Sequence, residues 1–180
     1  MEAANTSGAG QADAPSSEPS STDPIDAGAW VGNLDGAPTT VEVGVDPNGI
    51  PELEATEAYR ELVGGSPLRY VRVTIDNTGG SAAVPSAYAD INGGTGANPD
   101  LVLDFVCAWV NSYWSISPDV SDEDAAVAFE AGRAASDALA CMGDRAAAPG
   151  DVATYWLAAG EDQPQIDSLS IRFNEFAHRD

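Results

Sequence analysis

The sequence contains no lysine, a single histidine, two cysteines and no long apolar run. Each shortage removes a class of function. Seven basic residues, all arginine, stand against 29 acidic ones, for a formal net charge of -22. Such a surface repels nucleic-acid phosphates and anionic lipid headgroups, which gain no counterion release from a surface of their own sign. Nucleic-acid binding would require the few arginines to gather on one patch, and none is expected. Without a stretch of about 18 apolar residues, no membrane span is expected either. The start, MEAANTSGAGQ, lacks the basic flank and apolar core of a signal peptide. It reads as a start placed just after a removed export signal, or as the natural start of a cytosolic protein.

The lone histidine, His178, falls near the C-terminus, after the last expected strand. A catalytic imidazole needs partners and a rigid mount. Ser-His-Asp triads, histidine metal sites and HExxH zinc sites are therefore not expected. Cys107 and Cys141 form no CxxC, which leaves a redox pair or a structural zinc centre without support. An even cysteine count in an exported protein points to a Cys107–Cys141 bridge, with two buried free thiols as the alternative.

What is present begins with acid. The acidic residues divide 14 to 15 between the two halves of the chain, so the excess belongs to the whole surface. It fits a high-salt environment, the exported proteins of a GC-rich organism, or a calcium-rich or cationic partner. Residues 2–27 hold Ser, Ala, Pro, Asp, Glu, Thr and Gly around one large hydrophobe, Ile25. Too little apolar surface is available there to offset the entropy of ordering. Residues 1–28 are expected to be a disordered acidic tether, and residues 29–177 a single domain.

The strongest pattern in that domain is Leu68 to Gly80, LRYVRVTIDNTGG. Val71, Val73 and Ile75 alternate with Arg72, Thr74 and Asp76, the period of a half-buried strand, and Asn77-Thr78-Gly79-Gly80 supplies the turn. Thr39 to Val45 alternates in the same way, and Ser86–Ile91, Ala153–Leu157 and Leu169–Phe173 are further strands. Leu101 to Val110 is apolar on both faces and is expected to be a strand covered on both sides. Pro51–Val63 reads as a short helix or an acidic loop. Ser121 to Met142 has helical spacing behind a Ser121/Asp124 capping box, with Val127, Ala131, Ala134 and Ala138 on one face. About six or seven short strands with Gly/Pro turns favour a mainly β fold: an immunoglobulin-like antiparallel β-sandwich with a short helix inserted between strands.

Asp119, Asp122, Glu123 and Asp124 are the densest carboxylates and offer oxygen ligands to calcium, although they lack the ligand spacing of an EF-hand; a solvated helix N-terminus is the alternative. Tyr113, Trp114 and Trp156 are candidates for a binding surface, since Tyr and Trp present rigid amphipathic area. Trp156 falls opposite Tyr155 and Leu157, which predicts an exposed or partner-covered ring. Trp109 is assigned to core packing. No catalytic residue and no cofactor other than calcium is assigned. The loop Asn92 to Gly96 lacks the lysine and following helix of a phosphate cradle.

The stretches TTVEVGV (39–45), YVRVTIDNTGG (70–80), APGDVATYWLAAG (148–160) and SLSIRF (168–173) resemble a pattern in exported bacterial domains. These are the small immunoglobulin-like domains grouped with the mycobacterial secreted antigen MPT63 and the lipoprotein-associated DUF4352 type. The resemblance spans about residues 30–176. The aromatic strand Tyr155-Trp156-Leu157-Ala158-Ala159 and the alanine-rich segment 125–142 depart from it. It implies an exported domain, often lipid-anchored behind a linker, with no shared catalytic residues. The expected function is a non-enzymatic extracytoplasmic binding or adhesion domain, displayed on its tether, possessing a protein or cell-envelope partner. A calcium-responsive structural domain is the alternative, followed by a carboxylate-dependent hydrolase.

Overall fold

Alternate apolar residues give each strand one face for a common interior, and the fold follows from closing those faces on each other. In the computed structural model, which describes residues 28–87, 89–92, 101–143, 146–160, 168–171 and 174–179, eight strands form. They are β1 (Gly28–Leu34), β2 (Ala37–Val45), β3 (Leu68–Asp76), β4 (Ala89–Asn92), β5 (Leu101–Phe105), β6 (Val152–Gly160), β7 (Ser168–Ile171) and β8 (Asn174–Arg179). All pairings are antiparallel. Hydrogen bonding runs β1-β2-β3-β6-β5-β4-β7-β8, and β8 returns to β1 with His178 opposite Trp30.

The mainly antiparallel β class is as expected, but the strands close into one barrel where two separate sheets of an immunoglobulin-like sandwich were expected. Closure leaves no free edge in the ring. Val41, Val43, Val71, Val73, Ile75, Leu103, Leu157, Leu169 and Ile171 fill its interior. Gly44, in the left-handed region at φ 71°, sits where the β2–β3 register shifts between Val43 and Val45. Such a bulge bends the strand at the barrel rim. His178 lies within β8, its ring 5.3 Å from that of Trp30, and not beyond the last strand.

A helical layer covers one side of the barrel. Helix α1 (Pro51–Val63) resolves the ambiguity of that segment. Pro51 is pre-set for a first turn, and Gly64 at φ 67° ends the helix with its N–H on the Glu61 carbonyl. The apolar run after β5 does not continue as a strand. After Phe105 it turns through α2 (Val106–Ala108) into a π-helical turn (Trp109–Tyr113). Helix α3 (Asp122–Ala138) starts where the capping box predicts, with the Ser121 hydroxyl oxygen accepting from the Asp124 N–H. The Ser121 hydroxyl itself donates to the Asp124 carboxylate, so the reciprocal half of the box is made side chain to side chain.

The buried face of α3 is carried by Ala128 and Ala135, with Ala131 half-buried, rather than by the stripe that includes Val127, Ala134 and Ala138. Gly132 lies against α1: a Cβ there would stand 2.9 Å from Cε2 of Tyr59. Its role is close helix packing, which compensates for its weak helix propensity.

The expected tether falls outside the described residues apart from Gly28, which opens β1. The glycine-rich loop 93–96, Arg172 and Phe173 also lie outside them.

Candidate functional site

Strand β6 has two buried faces, and this positions the aromatic residues. Tyr155, Leu157 and Ala159 point into the barrel, while Trp156 and Ala158 point into a second core beneath the helices. That second core contains Leu53 and Tyr59 of α1, Tyr70 of β3, Val106, Val110 and Trp114. Trp156 is therefore not an exposed ring. It is 8% exposed, its indole N–H donates to Oε1 of Glu52 at 3.2 Å, and the Arg72 guanidinium lies 5.9 Å from its ring centroid.

Trp114 is likewise 8% exposed, edge-on to Tyr59 at 6.1 Å and tilted against Trp109 at 6.2 Å. Gly65 leaves room for it, since a Cβ there would meet Nε1 of Trp114 at 2.6 Å. Only Tyr113 of the three aromatic candidates is exposed, and its hydroxyl bonds to the Asp104 carboxylate. Trp109 is half-buried in the π-helical turn, which corrects its expected place in a strand between two sheets.

Cys107 and Cys141 are bridged, with 5.5 Å between their Cα atoms, joining α2 to the turn that follows α3. Closing a loop of 34 residues contributes about 3 to 4 kcal/mol by chain entropy. The bridge thus ties the two ends of the helical segment between β5 and β6 to each other.

Three of the four carboxylates of α1 are absorbed by structure. Glu54 accepts from the Gly49 N–H, Glu52 from Trp156, and Glu57 from both Arg60 and the Tyr70 hydroxyl. Burial, followed by the bond to Glu57, pushes the Tyr70 hydroxyl well above its ordinary range. Arg72 pairs with Glu42 at 2.5 Å, and that bond raises the guanidinium further. Asp119, Asp122, Glu123 and Asp124 are all exposed around the start of α3. Among the described residues no three acidic, histidine or cysteine side chains are grouped to hold a metal ion. Asp122, Glu123 and Asp124 form the acidic first turn of α3, where the helix dipole favours them.

Exposed apolar side chains mark a different surface. Among the described residues, Leu62, Tyr113, Val120, Val127, Phe129 and Met142 belong to the helices or their connections, and Val152 alone belongs to the barrel. Two grooves flank α3. One, of about 440 Å³, runs between the end of α1 and the first half of α3 and includes Leu62, Val120 and Val127. The other, of about 400 Å³, includes Tyr59, Val110, Phe129 and Met142; both touch Ile116. Sequence reasoning missed these residues because it placed Val127 on the buried stripe. The signal was the Ala128/Ala131/Ala135 spacing, which leaves Val127 and Phe129 on opposite flanks of the helix.

The geometry defines an antiparallel β-barrel carrying a disulfide-fixed helical layer on one side. Comparison with protein-family models, curated proteins and solved structures finds no match.

Proposed function

We propose that the chain is a non-enzymatic extracytoplasmic binding domain that engages a protein or cell-envelope partner through the outer face of its helical layer. The observation that carries this reading is segregation: among the described residues, six of the seven exposed large hydrophobics sit on that layer and one on the barrel. Large apolar side chains left in water on one side of a domain mark interaction surfaces. Among the described residues, Glu52, Glu54 and Glu57 of α1 are engaged in structural bonds. The disulfide supports an oxidising compartment. Among the described residues no helix is long and apolar enough to cross a membrane. A tether and a lipid anchor belong to the same reading, in keeping with the polar composition of residues 1–27.

The test is retention of the oxidised chain by an envelope fraction from its own cells. Wild type and Val152→Asp are expected to be retained alike, and the double variant Val127→Asp/Phe129→Asp to be lost with its melting temperature unchanged. No retention of wild type, or equal retention of all three, would overturn the reading.

A further inference from the structure

The groove between α1 and α3 combines an apolar floor with a rim of one charge. Leu62, Val120 and Val127 are 51%, 41% and 53% exposed, and Ile116 completes the apolar lining. Glu61 and Asp124 supply its charged lining, and no arginine contributes to it. Val120 also sits between Asp119 and the acidic first turn of α3, Asp122 to Asp124. The nearest described cation, Arg60, is already committed to Glu57 at 2.8 Å and stands 3.6 Å from Glu61. The second groove is mixed in charge, since Arg133 and Asp137 both line it.

Resting on the binding reading above, we propose that the α1–α3 groove takes an amphipathic helical segment of a partner protein, with an apolar stripe bordered by lysine or arginine. Apolar anchors at helical spacing suit a groove between two helices, and cationic borders match the acidic rim. Charge excludes the other occupants. A second copy of this chain brings another -22 and no lysine, and anionic lipid meets the same repulsion. Residues 2–27 offer the groove one large hydrophobe, Ile25, and further acid.

The experiment measures fluorescence anisotropy of a labelled Leu/Lys amphipathic helix of about five turns on the oxidised full chain, beside a Leu/Glu helix with the same apolar stripe. The Leu/Lys helix is expected to bind and the Leu/Glu helix to fail. Leu62→Asp/Val127→Asp is expected to weaken binding about tenfold or more, the loss of central apolar anchors, while Phe129→Asp changes it less than about twofold. Both groove substitutions add negative charge, so adhesion by charge alone would hold or strengthen. Binding that holds or strengthens in the double variant, equal binding of the two helices, or no binding of Leu/Lys would overturn the proposal. Retention of wild type by envelope material alongside failure of the Leu/Lys helix removes the partner chemistry alone; loss of both removes the underlying reading as well.

Discussion

The Tyr70 hydroxyl on β3 donates a 2.5 Å hydrogen bond to Oε1 of Glu57 on α1, across the seam between barrel and helical layer. Tyr70 is 2% exposed, and its neighbour Val71 fills the barrel on the opposite face. One strand thereby anchors both cores, and the seam has a titratable group at its centre.

That seam predicts the alkaline limb of stability. Because Tyr70 ionises at a higher pH folded than unfolded, its contribution is fully present below the unfolded value of about 10 and is lost as pH rises from there toward the folded value. Above pH 10 the unfolded chain binds fewer protons, and Tyr70 adds a downward slope of about 1.4 kcal/mol per pH unit. Tyr70→Phe is expected to remove that slope and to cost about 1 kcal/mol at neutral pH for the lost hydrogen bond. Urea unfolding at stepped pH from 7 to 11 measures both.

Asn77 is the second polar keystone. It is 3% exposed, its amide donates to the carbonyls of Ala82 and Ala147, and its own carbonyl accepts from Gly80 and Gly150. Asn77→Ala removes the side-chain donor from the Ala82 carbonyl and leaves the Ala147 carbonyl with the Val84 N–H alone, and is expected to cost about 1 to 3 kcal/mol. Gly80→Ala is expected to destabilise as well, because a Cβ there would fall 1.7 Å from Oδ1 of Asn77. Chemical denaturation checks both, and a loss below about 0.5 kcal/mol for Asn77→Ala, the range of an ordinary surface substitution, would contradict its assigned role.

Calcium is expected to stabilise the chain no more than sodium does. Asp119, Asp122, Glu123 and Asp124 are exposed, and among the described residues no three such side chains are grouped to hold a metal ion, so added salt is expected to screen a charge of -22 without filling a site. Thermal unfolding in calcium chloride and in sodium chloride at matched ionic strength decides this. A rise in low-millimolar calcium that sodium does not reproduce, lost in Asp122→Asn/Asp124→Asn, would restore the ion-binding alternative.

The strand alternation was legible because a period of two needs only local sequence, and Val71, Val73 and Ile75 occupy the interior as their spacing predicts. Ring closure was not, since the β1–β8 pairing joins the two ends of the barrel. Trp156 shows the same boundary. Its alternation placed it opposite Tyr155 and Leu157 correctly, but the helix that covers it lies about a hundred residues earlier in the chain, where Glu52 meets its indole. In Leu101 to Val110 both faces are apolar, and such a run does not distinguish strand from buried helical turn. The phase of α3 failed for a related reason: alanine on nearly every side leaves the stripe poorly defined, and its true direction is marked by Gly132 against Tyr59. The disulfide was legible from cysteine count alone, because with two cysteines only one pairing exists.

The central claim is that the helical layer, and not the barrel wall, meets the partner. A photo-crosslinking residue placed at Val127, and in a separate chain at Val152, tests it within the protein's own cells, since the two side chains are 53% and 55% exposed and differ chiefly in the face that carries them. A discrete crosslinked adduct from position 127, absent from position 152 and lost on adding Leu62→Asp, is the predicted result. Adducts from both positions alike, or from position 152 alone, would contradict the account.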